Sequence, residues 1–386
     1  MSSINFLIVI GVLLISLCYH LFWYLIEPDI ESLCEIESKP LIYGEEQCDN
    51  VFKHNIYVTE NALVTIFVAF LSPKIIIRGK LEGKPVYLKK LAKESEMKIM
   101  EKLFKSAFKN FKLDKKLIPF IIEDMNDISL NPLLPEQKEI QKLQLCPEST
   151  DINVILSHLP NFTSFNVYQY LNVWTSLHAN PEPILLQILN EPAWPVPKYY
   201  GSCGRLAIVE DCGKTLTDHL DSPWRVRANL SIQILEAAFK FTLDHPNLAF
   251  YLSDPSPDNV AVNSDGIVKF IDLEHVIVVD KHPQYVAPGW YINHTCQNTE
   301  CTNCFIIPSS DICSHWISDY NIFSVCKEIL HNTSLLLRGG LLHGDPSENI
   351  SADKLKNLLE ECVNPPKETS RFVIGTQIIE MLKIMI

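Results

Sequence analysis

Glycine is scarce in this sequence: 13 residues in a chain of 386, against 24 prolines. That excludes a collagen-like chain and glycine-rich tandem arrays, and no period of solenoid or propeller length recurs. A long basic run is also missing. Lys and Arg total 33 against 46 Asp and Glu, a net charge of −13. The electrostatic footprint of a nucleic-acid binder is therefore absent, and no nucleic-acid partner is expected. Charged residues make up only 20% of the chain and hydrophobic residues 47%. This composition excludes general disorder and supplies a sizeable core. The length exceeds one minimal domain and suits two compact ones.

One long apolar run is present. Residues 6–26 carry a single strongly polar side chain, His20, and as a helix would be about 30 Å long, enough to span a bilayer core. A retained signal anchor, a cleaved signal peptide and a buried core helix are the three readings, and the anchor is preferred. The acidic stretch that follows (Glu27, Asp29, Glu31, Glu35, Glu37) places the bulk of the chain on the luminal side, in the secretory pathway or secreted. Cysteine usage agrees. There are 12 cysteines, all but Cys18 beyond the apolar run, and an oxidising lumen would pair most of them. Sequons at Asn161, Asn229, Asn293, Asn332 and Asn349 suit a glycoprotein. Cys296, Cys301, Cys304 and Cys313 have spacing that could hold a tetrahedral zinc or form a knot of disulfides; in that compartment disulfides are the expectation.

Residues 1–30 thus read as anchor or signal peptide, and 31–60 as a Cys-containing stalk. Two β-rich runs around Glu82-Gly83 predict a hairpin over 75–90. Residues 91–110 are helical in composition, 111–165 look like an irregular insertion, and 166–190 return to helix, with Asn180-Pro181 as a helix start before Glu182. A second hairpin covers 198–210. The clearest amphipathic helix is 223–243, with Val226, Leu230, Ile234, Ala237 and Phe241 on its apolar face and Asn229 on the polar one. Val260-Ala261-Val262 and Val268-Lys269-Phe270-Ile271 then flank a turn at Asn263-Ser264-Asp265-Gly266.

The chemistry lies in Asp254-x4-Asn259, this last hairpin, and Asp272. Phosphoryl transfer needs a carboxylate to orient the attacking hydroxyl and accept its proton, and an amide oxygen and a second carboxylate to hold the divalent metal on the phosphates. Asp254, Asn259 and Asp272 supply these groups in that order, at the spacing of a protein kinase.

The stretches "YYGSCGRLAIVED" and "LSDPSPDNVAV…FIDLEHVIVVD", with the N-terminal run and the cysteines, resemble the divergent secretory-pathway protein kinase-like family that includes the deleted-in-autism proteins. The resemblance implies an α+β, two-lobed protein kinase-like fold behind the N-terminal transmembrane signal anchor. It places an N-lobe over 61–212, with its insertion at 111–165, and a C-lobe over 213–386 with a Cys-rich segment at 296–326. It implies ATP with magnesium or manganese as cofactors. Asp254 becomes the catalytic base and Asn259 and Asp272 the metal ligands. Lys89 becomes the phosphate-binding lysine, with Glu182 its partner; Lys90 is the alternative to Lys89 and Glu96 to Glu182. Asp319 becomes a brace for the catalytic loop. The partner is a luminal or extracellular protein or glycan, with Golgi or secreted residence.

Departures leave two alternatives open, a pseudokinase acting by interaction and a small-molecule kinase. Leu252-Ser253 stand where kinases carry His-Arg, and Asp272-Leu273-Glu274 replaces Asp-Phe-Gly. No Gly-x-Gly-x-x-Gly loop precedes Ile75, no Ala-Pro-Glu follows Asp272, and Tyr87 takes the position of a small residue beneath the adenine.

Overall fold

A computed structural model describes residues 30–59, 75–130, 143–145, 152–281, 312, 317–331, 340–344, 350–366 and 369–386. The apolar run 6–26 and the four cysteines at 296, 301, 304 and 313 lie outside these residues. Among the described residues no helix is long and apolar enough to cross a membrane. The chain is α+β and divides into two compact units, Met1–Lys98 with Tyr200–Asp211, and Ile99–Tyr199 with Cys212–Ile386.

The first unit is built on a sheet with strand order β1-β2-β3-β6-β5. Its strands are β1 (Ile56–Val58), β2 (Ile75–Leu81), β3 (Lys84–Lys90), β5 (Tyr199–Cys203) and β6 (Leu206–Glu210). The hairpin read at 75–90 is present, antiparallel, with Ile75 opposite Lys90 and Leu81 opposite Lys84. Alternation puts Val86 and Leu88 on one face, with Ile77 and Ile208 as the cross-strand neighbours of Leu88. This face is the apolar core. Two short helices, α1 (Ile30–Cys34) and α2 (Cys48–Phe52), contribute Cys34, Cys48 and Val51 to it. The segment read as a stalk is therefore folded onto the sheet. The Cys48–Cys203 disulfide fastens it, and Arg205 N donates to Cys34 O at 2.7 Å. Gly204 makes that approach possible: its φ is +60°, and a Cβ there would lie 1.9 Å from Cys34 O.

Helix α3 (Glu94–Phe108) carries the chain across the boundary at Lys98. In the second unit the segment read as an irregular insertion holds an ordered helix, α4 (Ile118–Leu130), and a short one, α5 (Ile152–Leu156). Leu117, Ile121, Met125 and Leu156 are fully buried, and Asp124 Oδ2 accepts from Trp174 Nε1 of α6 (Val167–Ala179) at 2.6 Å. Tertiary packing, rather than a strong local pattern, makes this helix. The helical stretch 166–190 is two helices, α6 and α7 (Glu182–Ile188), the second starting after Asn180-Pro181 as that pair indicates.

Helix α8 (Trp224–Leu243) is the axis of this unit. Leu230, Ile234, Ala237 and Phe241 are buried as their spacing predicts, while Val226 and Asn229 are exposed. The helix packs against β8 (Leu248–Tyr251), β10 (Val268–Phe270), α9 (Tyr320–Val325) and the C-terminal helix. Strands β7 (Lys214–Thr215), β9 (Val260–Val262) and β10 form one small sheet; β4 (Gln144–Leu145), β11 (Ile277–Asp280) and β8 form another. Helix α10 (Ile350–Val363) packs on α11 (Arg371–Met385). The Cys326–Cys362 disulfide joins α10 to the π-helical turn after α9.

Candidate active site

The β9–β10 hairpin sets the site. Its register pairs Val260 with Phe270, and one more bond extends the ladder at its mouth: Ile271 N donates to Asn259 O at 2.9 Å. Asp272, the next residue, is thereby held beside Asn259 although thirteen positions separate them. The turn is fixed at its far end by Asn263, whose Oδ1 accepts from Asp265 N at 3.0 Å and Ile267 N at 2.9 Å. Gln233 of α8 clamps it, donating to Gly266 O at 2.9 Å and accepting from Val268 N at 3.0 Å.

Asp254 belongs to the same constellation. Asn259 Nδ2 donates to Asp254 Oδ2 at 3.0 Å and to Asp254 O at 3.1 Å. With both amide hydrogens committed, the group left for a further ligand is the oxygen Oδ1, the atom a hard cation requires. The next turn is tied down by Thr217, whose hydroxyl donates to Asp258 Oδ1 at 2.6 Å. The second unit thus brings Asp254, Asn259 and Asp272 together.

The donor chemistry fits magnesium or manganese bound with a nucleotide. Such ions take oxygen ligands and are held by one or two side chains plus phosphates rather than by a protein cage. Among the described residues no group of three His, Cys, Asp or Glu side chains gathers to hold an ion.

The loop carrying Asp254 is braced from below. Leu252 N donates to Asn321 Oδ1 at 2.8 Å, and Asn321 Nδ2 donates to Phe250 O at 2.8 Å and Thr242 Oγ1 at 3.0 Å. Asn321 is thus one brace of the loop, and no sequence expectation named it. Asp319, expected in that role, forms a buried ion pair with Arg371. Arg371 also donates to Cys362 O at 2.6 Å. The signal was close by: Asn321 lies two residues on, in the same Asp-Tyr-Asn start of α9.

The electrostatics under the loop are those of an anionic site. Burial, then the nearby carboxylates of Glu328 and Asp254, raise the Tyr320 phenol well above its ordinary pKa. Burial raises Glu328 as well; Lys327 opposes this and Asp254 adds to it.

In the first unit, Lys89 is buried on β3. Its cross-strand neighbours are Ile76 and Ala207, on the sheet face opposite the core and shared with Tyr87. Lys90 points the other way and is engaged by Glu35, which also accepts from Arg205 Nη1 at 2.6 Å. Glu96 is buried, and its Oε2 accepts from Lys93 N at 2.7 Å, closing the first turn of α3. Tyr87 is pinned by Arg78, whose Nε donates to its hydroxyl at 2.7 Å and lies 3.8 Å from Asp211 Oδ2. Glu182, in the second unit, is buried at the start of α7, with its N–H donating to Asn180 Oδ1 at 3.0 Å.

Known proteins share this chain's sequence over most of its length. Residues 173–365, which include Asp254, Asn259 and Asp272, match the family model described as the protein-kinase domain of FAM69. Divergent protein kinase domain 2A of Xenopus tropicalis is 31% identical over 294 residues, covering 74% of this chain and 67% of that protein. The Homo sapiens protein of that name is 35% identical over 215 residues, 54% of this chain and 50% of the other. Divergent protein kinase domain 2B of Homo sapiens is 25% identical over 270 residues, 64% of this chain and 58% of the other. The matched region thus spans two thirds of the frog relative and half of the first human one. On these matches the chain belongs to the FAM69 family of divergent protein kinase-like proteins.

Proposed function

We propose that this chain is a secretory-pathway phosphotransferase. It binds ATP with magnesium or manganese and transfers the γ-phosphoryl group to a hydroxyl of a luminal or extracellular protein or glycan. The observation that carries the reading is the mouth of the β9–β10 hairpin, where Asn259 both donates to Asp254 and receives Ile271 N, next to Asp272. Bound metal–ATP supplies the phosphoryl group. Asp254 orients the attacking hydroxyl and takes its proton, while Asn259 Oδ1 and the Asp272 carboxylate hold the metal on the phosphates. Lys89, with its neighbour Lys90 committed to Glu35, is the phosphate-binding lysine.

Residence in an oxidising compartment is supported by two disulfides among the described residues, Cys48–Cys203 and Cys326–Cys362. The sequon asparagines Asn161 and Asn229 are exposed, as glycan attachment requires. The apolar run 6–26 is the membrane attachment. The test is transfer of labelled γ-phosphoryl by the purified full chain to secreted proteins and their glycans, with Asp254→Asn as control. Label that appears with the wild type and is lost with the variant supports the reading; equal labelling by both refutes it.

One observation favours the pseudokinase reading. Tyr87 is held by Arg78 on the sheet face of Lys89, at the position where kinases keep a small residue beneath the adenine. If its ring fills that place, Tyr87→Ala tightens ATP binding, read by calorimetry; unchanged affinity removes the objection.

A further inference from the structure

Glu274 stands two residues beyond Asp272, where the kinase motif has glycine. A glycine leaves that segment free to turn; a glutamate with a buried carboxylate does not. The Glu274 side chain is 4% exposed. Its Oε2 accepts from Asn180 Nδ2 at 2.7 Å, and its Oε1 lies 3.2 Å from His275 Nε2.

Asn180 is fully buried and its amide is oriented by two opposite demands. Oδ1 must accept from Glu182 N, so Nδ2 must face the carboxylate. The same segment is held from a second side, because the Ser253 hydroxyl, next to Asp254, donates to His275 O. Ser253 occupies the place of the arginine that, in kinases, receives a phosphorylated loop. Between these two anchors, Glu274 N lies 3.4 Å from Asp272 Oδ1.

The geometry points to Glu274 as a positioning residue: anchored on Asn180, it fixes the Asp272 carboxylate beside Asn259, so that the metal site is organised without loop phosphorylation. This inference rests on the phosphotransferase reading above. The bond to a carboxylate is charge-assisted and shielded from water, so its loss is felt at the site rather than absorbed by solvent.

The experiment is a calorimetric titration of the full chain with manganese–ATP, with the resonance of bound manganese as second readout. Asn180→Asp sets two carboxylates against each other, and Kd rises about tenfold, the scale of one charge-assisted bond. Adding Glu274→Gln exchanges amide and carboxylate. The carboxylate introduced in place of Asn180 can then accept from both Glu182 N and the new amide, and Kd returns to within about threefold of wild type. A purely structural role lowers the melting temperature of Asn180→Asp without moving the Kd of the folded protein. Should Asn180→Asp not fold, Glu274→Ala, which removes the acceptor of Asn180 Nδ2, carries the test, with a weaker Kd expected. Wild-type binding left undisturbed by Asn180→Asp, or by Glu274→Ala in that case, overturns the inference, as does a double variant no better than Asn180→Asp. No binding by the wild type overturns the phosphotransferase reading, and this inference with it.

Discussion

Asn259 donates to the carboxylate of Asp254 across 3.0 Å while its own main-chain carbonyl receives the N–H of Ile271. One residue thus joins the proposed base to the segment carrying the second metal ligand. The three polar groups stand together because a short antiparallel hairpin returns the chain to its starting point, not because a long-range contact was built for them.

Base and metal ligands separate in kinetics. Asp254→Asn keeps the hydrogen bond from Asn259 but cannot take a proton, so transfer falls by about 10²–10⁴-fold with nucleotide affinity little changed. Asn259→Ala weakens metal–nucleotide affinity instead. Single-turnover rates measured beside binding constants distinguish the two patterns.

Asn321 is a buried hub with three hydrogen bonds, to Leu252 N, Phe250 O and Thr242 Oγ1. Asn321→Ala leaves these groups unsatisfied and costs about 2–4 kcal/mol. Urea unfolding followed by fluorescence measures the loss. Asp319→Ala strands the buried Arg371 guanidinium and costs a similar amount.

The two disulfides among the described residues differ in reach. Cys48 and Cys203 are 155 residues apart, Cys326 and Cys362 only 36. On the loop-entropy account the first stabilises by roughly 5 kcal/mol and the second by roughly 4. Replacing each pair with serine lowers the melting temperature, the first pair more, and reductant has no further effect at the replaced bond.

Acid weakens the second unit through His245. Its ring is buried, with Nδ1 accepting from Asn247 N at 3.2 Å and Leu248 N at 2.9 Å. Burial, then His158 and Lys281, push its pKa down to about 4. The folded state therefore favours the neutral ring. Its stabilisation is complete above the unfolded value of about 6.5 and is lost as pH falls from there toward 4, to a ceiling of roughly 3 kcal/mol. A melting-temperature profile between pH 7 and 4 shows the decline, and His245→Gln flattens it.

The parts legible in the sequence are those written locally. The hairpins at 75–90 and 260–270 and the α8 helix follow from alternation, turn residues and 3.6-residue spacing. The Asp254, Asn259 and Asp272 set follows because its geometry closes within one hairpin. Two supports did not show. Asn180 reads as a helix-start residue, which it is for α7, but its bond to Glu274 spans 94 positions. Asn321 reaches Leu252 across 69. Glu274, legible in the sequence only as a departure from Asp-Phe-Gly, is buried against Asn180 across the same span. Helix α4 was missed because Pro119, Asn126 and Asp127 dilute its pattern, and it forms by burying Ile121 and Met125.

The most direct test of the account is a calorimetric titration of manganese–ATP into the full chain and into Asp272→Ala. The account predicts saturable, metal-dependent binding by the wild type that the variant loses while keeping its fold. A folded wild type that binds no nucleotide, or a variant that binds as well as the wild type, contradicts it.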